Sequence, residues 1–307
     1  MPEYIATLVA APGGKAIVEA LAARAAAVLP SGRLNRWLDP GMAVDVAFDD
    51  PIYTERADLW IAMRAHADRL REVLTGESID VFVQPAAGRR KKLFLADMDS
   101  TMIGQECIDE LADFVGKKAH VAEITERAMR GEIAFEPALI ERVALLKSLQ
   151  EGIVSKVIAE RITLTAGGVT LVKTMRANGA YTALVSGGFT LFTSRIAEKI
   201  GFHENRANRL IVENGCFAGA VVEPILGREA KLATLIELRT AQSLAQEETI
   251  AAGDGANDLA MLEEAGLGIA FHAKPAVAAA AHARIDHGDL TAILFAQGYS
   301  REDFVET

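Results

Sequence analysis

The sequence is short of several features that mark particular classes of protein. It has only two cysteines, Cys107 and Cys216, in 307 residues, too few for the disulfide framework of a small secreted domain. It has no run of about 18 apolar residues that would predict a membrane-spanning helix. Its N-terminus lacks the basic segment and long apolar stretch of a signal peptide. We therefore expect a soluble cytoplasmic protein with no membrane partner.

Positive charge is also in short supply. The chain has 32 Lys and Arg against 42 Asp and Glu, a formal net charge of −10. Because phosphate backbones are bound mainly by Lys and Arg, this balance argues against a nucleic-acid partner. The hydrophobic share of 50% and charged share of 24% are those of a globular chain. At about 100–200 residues per domain, the length predicts two or three domains. It leaves the oligomeric state open, a homodimer included.

Residues 1–85 have the pattern of a small α+β domain. Strands are predicted at 4–10, 43–48 and 79–83, and helices at 15–28 and 55–75. The run 86–92, AAGRRKK, is polar, basic and contains glycine. We interpret it as a linker to a second domain that covers 93–307.

The pattern changes after the linker to apolar strands separated by helices. Strands that end in Gly, Asp or Ser clusters are predicted at 93–97, 181–186, 249–254 and 267–271. Such strands, buried on both faces, predict an α/β fold with a parallel sheet covered by helices. The first two strands are separated by far more residues than a crossover needs, so 106–165 is predicted to be an inserted helical cap. A β-hairpin turning at Asn214-Gly215 is predicted within 208–226.

Acidic residues follow two of these strands. Asp97 and Asp99 end the first, and the segment GDGAND places Asp254 and Asp258 after a later one. Because ligands bind beyond the carboxyl ends of parallel strands, we expect all four in one crevice. Two carboxylates about 7 Å apart repel by roughly 2–3 kcal/mol, so a counter-cation is needed, and hard oxygen ligands favour Mg²⁺. The cation in turn calls for an anionic substrate.

Other interpretations of these acids fit less well. Any one Asp at a strand end is commonly a helix N-cap or an Asx turn, but two acidic motifs at two strand ends favour a site. An EF-hand starting at Asp97 would need Gly and an acid where Met102 and Ile108 stand. The sequence has no Walker A loop, and GDGAND is not a dinucleotide fingerprint.

Five segments carry a resemblance to a known family. They are ADMDSTMIGQECIDELA (96–112), AMRGEIAFEPALIERVALLK (128–147), ALVSGGF (183–189), Ala230-Lys231 and AAGDGANDLAML (251–262). Together they resemble the haloacid dehalogenase superfamily of aspartate-nucleophile phosphotransferases, and the cap segment is similar to that of its phosphoserine phosphatases. This resemblance implies a Rossmann-like core with the cap at about 106–165. The N-terminal unit resembles a regulatory ACT-like domain only loosely. The sequence departs from the family pattern at two positions: Ala166, where Pro is common, and Gly227, where an acid is common.

The resemblance also implies roles for the acidic residues. Asp97 would attack phosphorus and become an aspartyl-phosphate, and Asp99 would act as general acid and then general base. Mg²⁺ would be held by Asp97, Asp254 and the backbone carbonyl of Asp99. Asp258 would orient the metal or Lys231.

The remaining implied roles concern the substrate. Ser186, the Gly187 N–H, Lys231 and Asn257 would contact the phosphate, while Glu106 would accept an ammonium group and Arg142 would bind a carboxylate. Met129 and Phe135 would form an apolar wall. From the residues alone, these positions have other interpretations: Lys231 as a surface lysine, Ser186 and Gly187 as a turn, Glu106 as a favourable charge at the start of a helix, Arg142 as a solvated helix charge, and Met129 and Phe135 as part of the cap core.

The implied activity is hydrolysis of O-phosphoserine to serine and phosphate, the last step of L-serine biosynthesis. One alternative is a phosphatase or phosphotransferase of the same superfamily acting on another small phosphate ester. A second alternative, from a different class, is an amino-acid-sensing or scaffolding protein built around the N-terminal unit. Four acids at one crevice argue against that second alternative, since a binding module has no need of them.

Overall fold

The structure, a computed structural model, describes residues 3–306 and, for Met129, the backbone alone. The strands are β1 (Glu3–Ala10), β2 (Arg33–Asp39), β3 (Ala43–Asp49), β4 (Ile79–Pro85), β5 (Leu93–Ala96), β6 (Tyr181–Phe189), β7 (Glu204–Asn208), β8 (Leu210–Glu213), β9 (Cys216–Val221), β10 (Thr249–Gly253), β11 (Leu267–Phe271) and β12 (Ala283–Ile285). The helices are α1 (Glu19–Ala26), α2 (Arg56–Val73), α3 (Cys107–Asp113), α4 (Lys118–Met129), α5 (Phe135–Ala144), α6 (Ile153–Glu160), α7 (Gly168–Ala177), α8 (Thr190–Ile200), α9 (Arg228–Ala241), α10 (Leu259–Glu264), α11 (Pro275–Ala280) and α12 (Ala292–Ala296).

The N-terminal unit is a four-stranded antiparallel sheet with the order β2-β3-β1-β4. Its β-α-β-β-α-β chain order places β3 between β1 and β2. The strand β2 was not predicted because it lies at the sheet edge and its first four residues are exposed, so it lacks the alternating apolar pattern. The helix predicted at 15–28 is shorter, Glu19–Ala26.

The core is a six-stranded parallel sheet with the order β12-β11-β10-β5-β6-β7. The chain runs outward from β5 in one direction and from β10 in the other, so the topological switch point lies between these two strands. Every residue of β5 and β10 is buried, which agrees with the apolar runs that predicted them. The edge strands β7 and β12 were missed because one is polar and the other very short.

The predicted cap span contains the helices α3 to α6, inserted between β5 and α7. The hairpin is also confirmed: β8 and β9 pair antiparallel, and Asn214 and Gly215 both have positive φ, 52° and 76°. Two such residues make the turn that matches the twist of paired strands. No helix within residues 3–306 combines the length and the apolar character needed to cross a membrane.

Two basic residues of the segment 86–92, Arg89 and Lys91, are buried, while Ala87, Gly88, Arg90 and Lys92 are exposed. Arg89 is only 9% exposed, and its guanidinium donates to both carboxylate oxygens of Asp45 at 2.8 and 2.9 Å. Nearby, Asp80 accepts from the backbone N–H groups of Asp286, His287 and Gly288 at 2.7, 3.1 and 2.7 Å. Because buried polar groups need such partners, these hydrogen bonds hold the N-terminal sheet against the core. The exact domain limits stay a prediction.

Candidate active site

The strand β5 carries Asp97 to the switch point of the core sheet. An Asp97 carboxylate oxygen accepts from the N–H of Met98 at 2.7 Å. The chain then makes an irregular turn in which Asp99 accepts from the N–H of Cys107 at 3.2 Å, at the start of α3. Asp97 and Asp99 are therefore fixed by backbone donors beside the first cap helix.

The strand β10 carries the second acidic loop. Asp258 Oδ2 accepts from the N–H groups of Asp254 and Gly255 at 3.2 and 3.1 Å, which folds the segment GDGAND back on itself. Only glycine fits at position 253, because a Cβ there would overlap the Asp258 carboxylate. Asp254 also lies within reach of the Thr101 hydroxyl, which donates to it at 3.4 Å. The two acidic motifs thus meet, as predicted.

Lys231 is buried completely between the two motifs. Its ammonium lies 2.8 Å from Asp97 Oδ1 and 2.6 Å from Asp258 Oδ1, and the side chain has no exposed area. The interpretation of Lys231 as a surface lysine is therefore wrong. Burial acts to lower the pKa of Lys231, but the charges of Asp258 and Asp97 outweigh it and raise the pKa above its ordinary value. Lys231 is a fixed positive charge.

The carboxylates outnumber this one cation. Burial raises the pKa of Asp97 to about 7, with repulsion from Asp258 adding to the effect. It raises the pKa of Asp99 to about 7 as well, with repulsion from Asp97, and it raises the pKa of Asp254 well above the ordinary range. The site is therefore short of positive charge.

The donor set fits a divalent cation. Carboxylate oxygens of Asp97, Asp254 and Asp258 all lie within 4.8 Å of one another. The oxygens of Asp258 are already taken by Lys231 and two backbone N–H groups, so Asp97 and Asp254 are the acids left to hold a cation. Clustered hard oxygen ligands of this kind suit a divalent metal.

We expect Lys231→Met to destabilise the protein by about 3–5 kcal/mol near pH 8, because it leaves two buried carboxylates without their counter-charge. The free energy of unfolding is measured by urea denaturation in chelator. The double variant Lys231→Met/Asp258→Asn should recover part of the loss. Equal stability of the single variant and the wild type would contradict the ion-pair geometry.

The cap supplies a second buried cation, Arg142 of α5. It is 5% exposed, so its interpretation as a solvated helix charge is wrong. Its Nε donates to Ala138 O and its Nη1 to Thr125 Oγ1, both at 2.9 Å. The Thr125 hydroxyl in turn contacts Asp109 at 2.8 Å. These contacts fix the plane of the guanidinium and leave Nη2 without an acceptor in the described part of the protein.

Glu106 lies beside Asp99, immediately before α3. Its carboxylate accepts from the Ser100 hydroxyl at 2.5 Å. Burial raises the pKa of Glu106 to about 8, and repulsion from Asp99 adds to this. A carboxylate in this environment gains from a nearby ammonium group, which would restore its charged form.

One cavity of about 50 Å³ joins the acidic motifs to the cap. Seven predicted site residues line it: Asp97, Asp99, Glu106, Arg142, Ser186, Gly187 and Asn257. Asp254, Lys231 and Asp258 do not line it, and they lie behind or beside Asp97. The structure therefore brings all ten predicted site residues together, seven at the wall and three in support.

The cap closes directly over the end of β6. The Ser186 hydroxyl accepts from the Gly188 N–H at 2.9 Å, and a Cβ at Gly187 would lie 2.6 Å from the Phe135 ring. Phe135 lines the cavity as the apolar wall predicted. The matching expectation for Met129 concerns its side chain, which lies outside the described part of the structure.

Three supporting contacts were missed in the sequence. Asn208 at the end of β7 donates to Gly187 O at 2.8 Å. The sequence could have indicated it as it indicated Asp97, since both are polar residues at the end of a parallel strand. Thr125 holds Arg142, but a lone threonine in a helix carries no signal. Lys274 binds the cap residue Glu126 through both carboxylate oxygens, at 3.1 and 2.8 Å.

The structure offers a reason for the glycine at position 227, where an acid is common. A Cβ at Gly227 would lie 2.8 Å from a carboxylate oxygen of the cap residue Glu136. An acidic side chain at position 227 would therefore start against another carboxylate, which is unfavourable.

Comparisons with known proteins show the family of this chain. The model of the haloacid dehalogenase-like hydrolase family matches residues 94–263. The phosphoserine phosphatase of Albidiferax ferrireducens is 43% identical over 227 residues, which cover 72% of this chain and 96% of that protein.

Two solved structures extend the likeness to the fold. A phospho-aspartyl intermediate analogue of a phosphoserine phosphatase superposes with a TM-score of 0.64 at 42% identity, covering 67% of this chain and 98% of the other. A HAD family hydrolase from Salmonella enterica serovar Typhi superposes with a TM-score of 0.81 at 27% identity, covering 95% and 97%. The chain therefore belongs to the haloacid dehalogenase-like hydrolase family and, within it, to the phosphoserine phosphatases.

Proposed function

We propose that this protein hydrolyses O-phosphoserine to serine and inorganic phosphate through an aspartyl-phosphate on Asp97. The observation that carries the proposal is the single cavity whose wall includes Asp97 and Asp99 at one end and Glu106 and Arg142 at the other. One end suits a phosphate ester, and the other suits an ammonium and a carboxylate. An amino acid esterified with phosphate has all three groups.

In the proposed first step, an Asp97 carboxylate oxygen forms a bond to phosphorus while the bond from phosphorus to the serine oxygen breaks. Asp99, whose pKa is raised to about 7 by burial and by Asp97, holds a proton near neutral pH and gives it to that oxygen. In the second step water attacks the phosphorus, Asp99 takes its proton, and Asp97 and inorganic phosphate are released.

The charge that develops on the phosphoryl oxygens requires donors. We propose that the Ser186 hydroxyl, the Gly187 N–H and the Asn257 amide donate to these oxygens, and that Lys231 supplies positive charge from behind Asp97. The side chains of Ser186 and Asn257 line the same cavity as Asp97. Fixed donors of this kind stabilise a transition state without reorganisation.

We propose Mg²⁺ as the cation, held by Asp97, Asp254 and the backbone carbonyl of Asp99. When bound, it supplies the positive charge that keeps these carboxylates ionised and offsets the charge of the phosphate. Asp258 stays on Lys231 and on the backbone of its own loop. Its proposed role is therefore to position Lys231 and the loop that carries Asp254.

Substrate entry requires the cap to move. A cavity of about 50 Å³ holds only a few water molecules, too little for a phosphorylated amino acid. The Phe135 ring against Gly187 and the ion pair between Lys274 and Glu126 are contacts between cap and core. We propose that both break when the cap opens and form again around the substrate.

The direct test measures phosphate release from O-phosphoserine by the purified protein in Mg²⁺ and in excess chelator. We expect turnover in Mg²⁺, its loss on chelation and its recovery when Mg²⁺ is restored. O-phosphoethanolamine and a simple alkyl phosphate serve as comparison esters, and both should turn over more slowly because each lacks the carboxylate. A faster reaction with either ester would favour the alternative, a phosphatase of another small ester.

We expect the stabilisation by Mg²⁺ to be larger at about pH 8 than at about pH 5.5. In metal-free protein, Asp97 and Asp99 have pKa values raised from 3.8 to about 7, so the folded state holds protons that the unfolded state releases. Stability without metal therefore falls as the pH rises through this window, and the cation must displace protons at the lower pH. Melting temperatures with and without Mg²⁺ measure this, with Asp254→Asn as the control that should lose the Mg²⁺ effect at both pH values.

Three expectations from the sequence stay predictions: a cytoplasmic location, a place as the last step of L-serine biosynthesis, and a regulatory role for the N-terminal unit. The oligomeric state likewise stays open.

A further inference from the structure

A second cavity lies between the N-terminal sheet and the core. Its volume is about 360 Å³. Its wall includes Lys91, Glu247 and Gly266, which come shortly before the core strands β5, β10 and β11. It therefore lies at the amino ends of the parallel strands, at the opposite edge of the sheet from Asp97. We call it the junction cavity.

Two cations at the junction cavity, Lys91 and Arg56, donate their hydrogen bonds to backbone carbonyls. Lys91 is 7% exposed, and its ammonium donates to the carbonyls of Gly88 and Glu247 at 2.9 and 2.8 Å. The Arg56 guanidinium donates to the carbonyls of Glu263 and Ala265. Within residues 3–306, neither cation lies within ion-pairing distance of a carboxylate. Lys91 is buried and Arg56 is half-buried, and the charges of Glu247 and Glu264 reach these cations only from beyond ion-pairing distance. Buried charges are ordinarily paired, so a direct anionic partner is missing here.

The surroundings of the two cations point the same way. Burial lowers the pKa of Lys91 to about 8. Burial also lowers the pKa of His282 to about 3, and the charges of Arg56, Arg64 and Lys91 add to that effect. The His282 ring stacks on Trp60 with the ring centres 4.1 Å apart. Several cations therefore lie next to an aromatic wall at this junction, with Glu247 as an acidic residue of the same cavity wall.

The wall of the junction cavity also includes apolar surface. Leu59, Trp60 and Pro85 contribute to it. The indole N–H of Trp60 is buried without a hydrogen-bond partner, which is uncommon for a buried donor. A ligand with an anionic group and a hydrocarbon part matches this combination better than a bare inorganic ion does.

We propose that the junction cavity binds a small organic anion, whose oxygens accept from Arg56 and Lys91 and whose apolar part packs on Trp60 and Leu59. This binding site is separate from the hydrolysis of phosphoserine and does not depend on it. Because Arg56 belongs to the N-terminal unit and Lys91 precedes β5 of the core, the anion bridges the two. Binding to the folded state alone then raises the melting temperature with ligand concentration.

Trp60 makes a direct test possible. The chain has two tryptophans, Trp37 and Trp60, so Trp37→Phe leaves Trp60 as the only tryptophan reporter. This variant is titrated with cyclohexanecarboxylate, acetate and inorganic phosphate at constant ionic strength. We expect a saturable change in Trp60 emission with cyclohexanecarboxylate, with a Kd at least ~10-fold below that of acetate or phosphate. Tighter binding of phosphate, or no saturable change with any of the three, would overturn the proposal.

Charge-removing variants locate the bound anion. In the same background, Arg56→Gln and Lys91→Gln should each weaken binding by about tenfold or more. Arg64→Gln is the matched control, because Arg64 donates to Ala280 O at 3.4 Å across the same junction but does not line the cavity. It should bind as the parent does.

A second readout protects the test from folding defects. The rise in melting temperature with cyclohexanecarboxylate should disappear in Arg56→Gln and persist in Arg64→Gln. Turnover of phosphoserine should be the same in all of these variants, since none of the substituted residues lines the catalytic cavity. An equal loss of binding in Arg64→Gln and in Lys91→Gln would show a general charge effect and refute the site.

Discussion

Asp97→Asn is expected to lower kcat for O-phosphoserine by at least ~10⁴-fold. An amide cannot attack phosphorus as a carboxylate does, and the change is otherwise small. Asparagine keeps an oxygen to accept from Met98, and Lys231 keeps its contact with Asp258 at 2.6 Å. The protein should therefore fold normally, with a melting temperature in chelator no lower than that of the wild type.

Asp99→Asn is the companion variant that separates the two carboxylates. With p-nitrophenyl phosphate, whose leaving group needs no proton, this variant should still phosphorylate Asp97 and then accumulate the adduct, because no base remains to activate water. Acid quenching and mass spectrometry detect the added phosphate. If the Asp97→Asn variant carried a phosphate adduct, or turned over at the wild-type rate, Asp97 would not be the nucleophile.

Arg142→Met should lower kcat/KM for O-phosphoserine by ~10²-fold or more, because a buried carboxylate of the substrate loses its charged partner. The effect on O-phosphoethanolamine, which has no carboxylate, should stay within about threefold. Steady-state kinetics with both esters measures the difference. An equal loss with both esters would mean that Arg142 supports the cap and does not read the substrate.

Thr125→Val is the matched control for Arg142. It removes the hydroxyl that accepts from Arg142 at 2.9 Å while keeping nearly the same shape. Since the guanidinium stays charged and only its orientation is loosened, we expect a smaller loss than for Arg142→Met, again confined to phosphoserine. A loss as large as that of Arg142→Met would place the recognition on Thr125 itself.

The sequence predicts the acidic end of the site better than the basic one. Asp97 and Asp254 follow strands so apolar that their burial and parallel order can be read from the residues, and strand order then brings their carboxyl ends together. Lys231 and Arg142 lie on helices, where a lone basic residue is usually solvated. Only the family resemblance singled them out, and only the fold shows that both are buried.

The same reasoning explains which parts of the fold the sequence does not predict. The edge strands β2 and β7 are polar or exposed, so no alternation marks them. The run 86–92 is predicted to be a linker because charged residues usually face solvent. Arg89 and Lys91 are buried instead, by groups far away in the sequence: Asp45 for Arg89 and Glu247 O for Lys91. Contacts of that range leave no trace in a local pattern.

The contact of Asp80 with the turn after β12 has a consequence for the solubility of the catalytic half. The strand β12 is only three residues long and ends the parallel sheet, and β4 packs beside it. A shortened protein beginning at Leu93 would leave a bare sheet border and three orphaned amide donors at 286–288. Such borders recruit other chains. In the full chain β4 covers this border, so we expect a protein that begins at Leu93 to self-associate more readily than the full chain does.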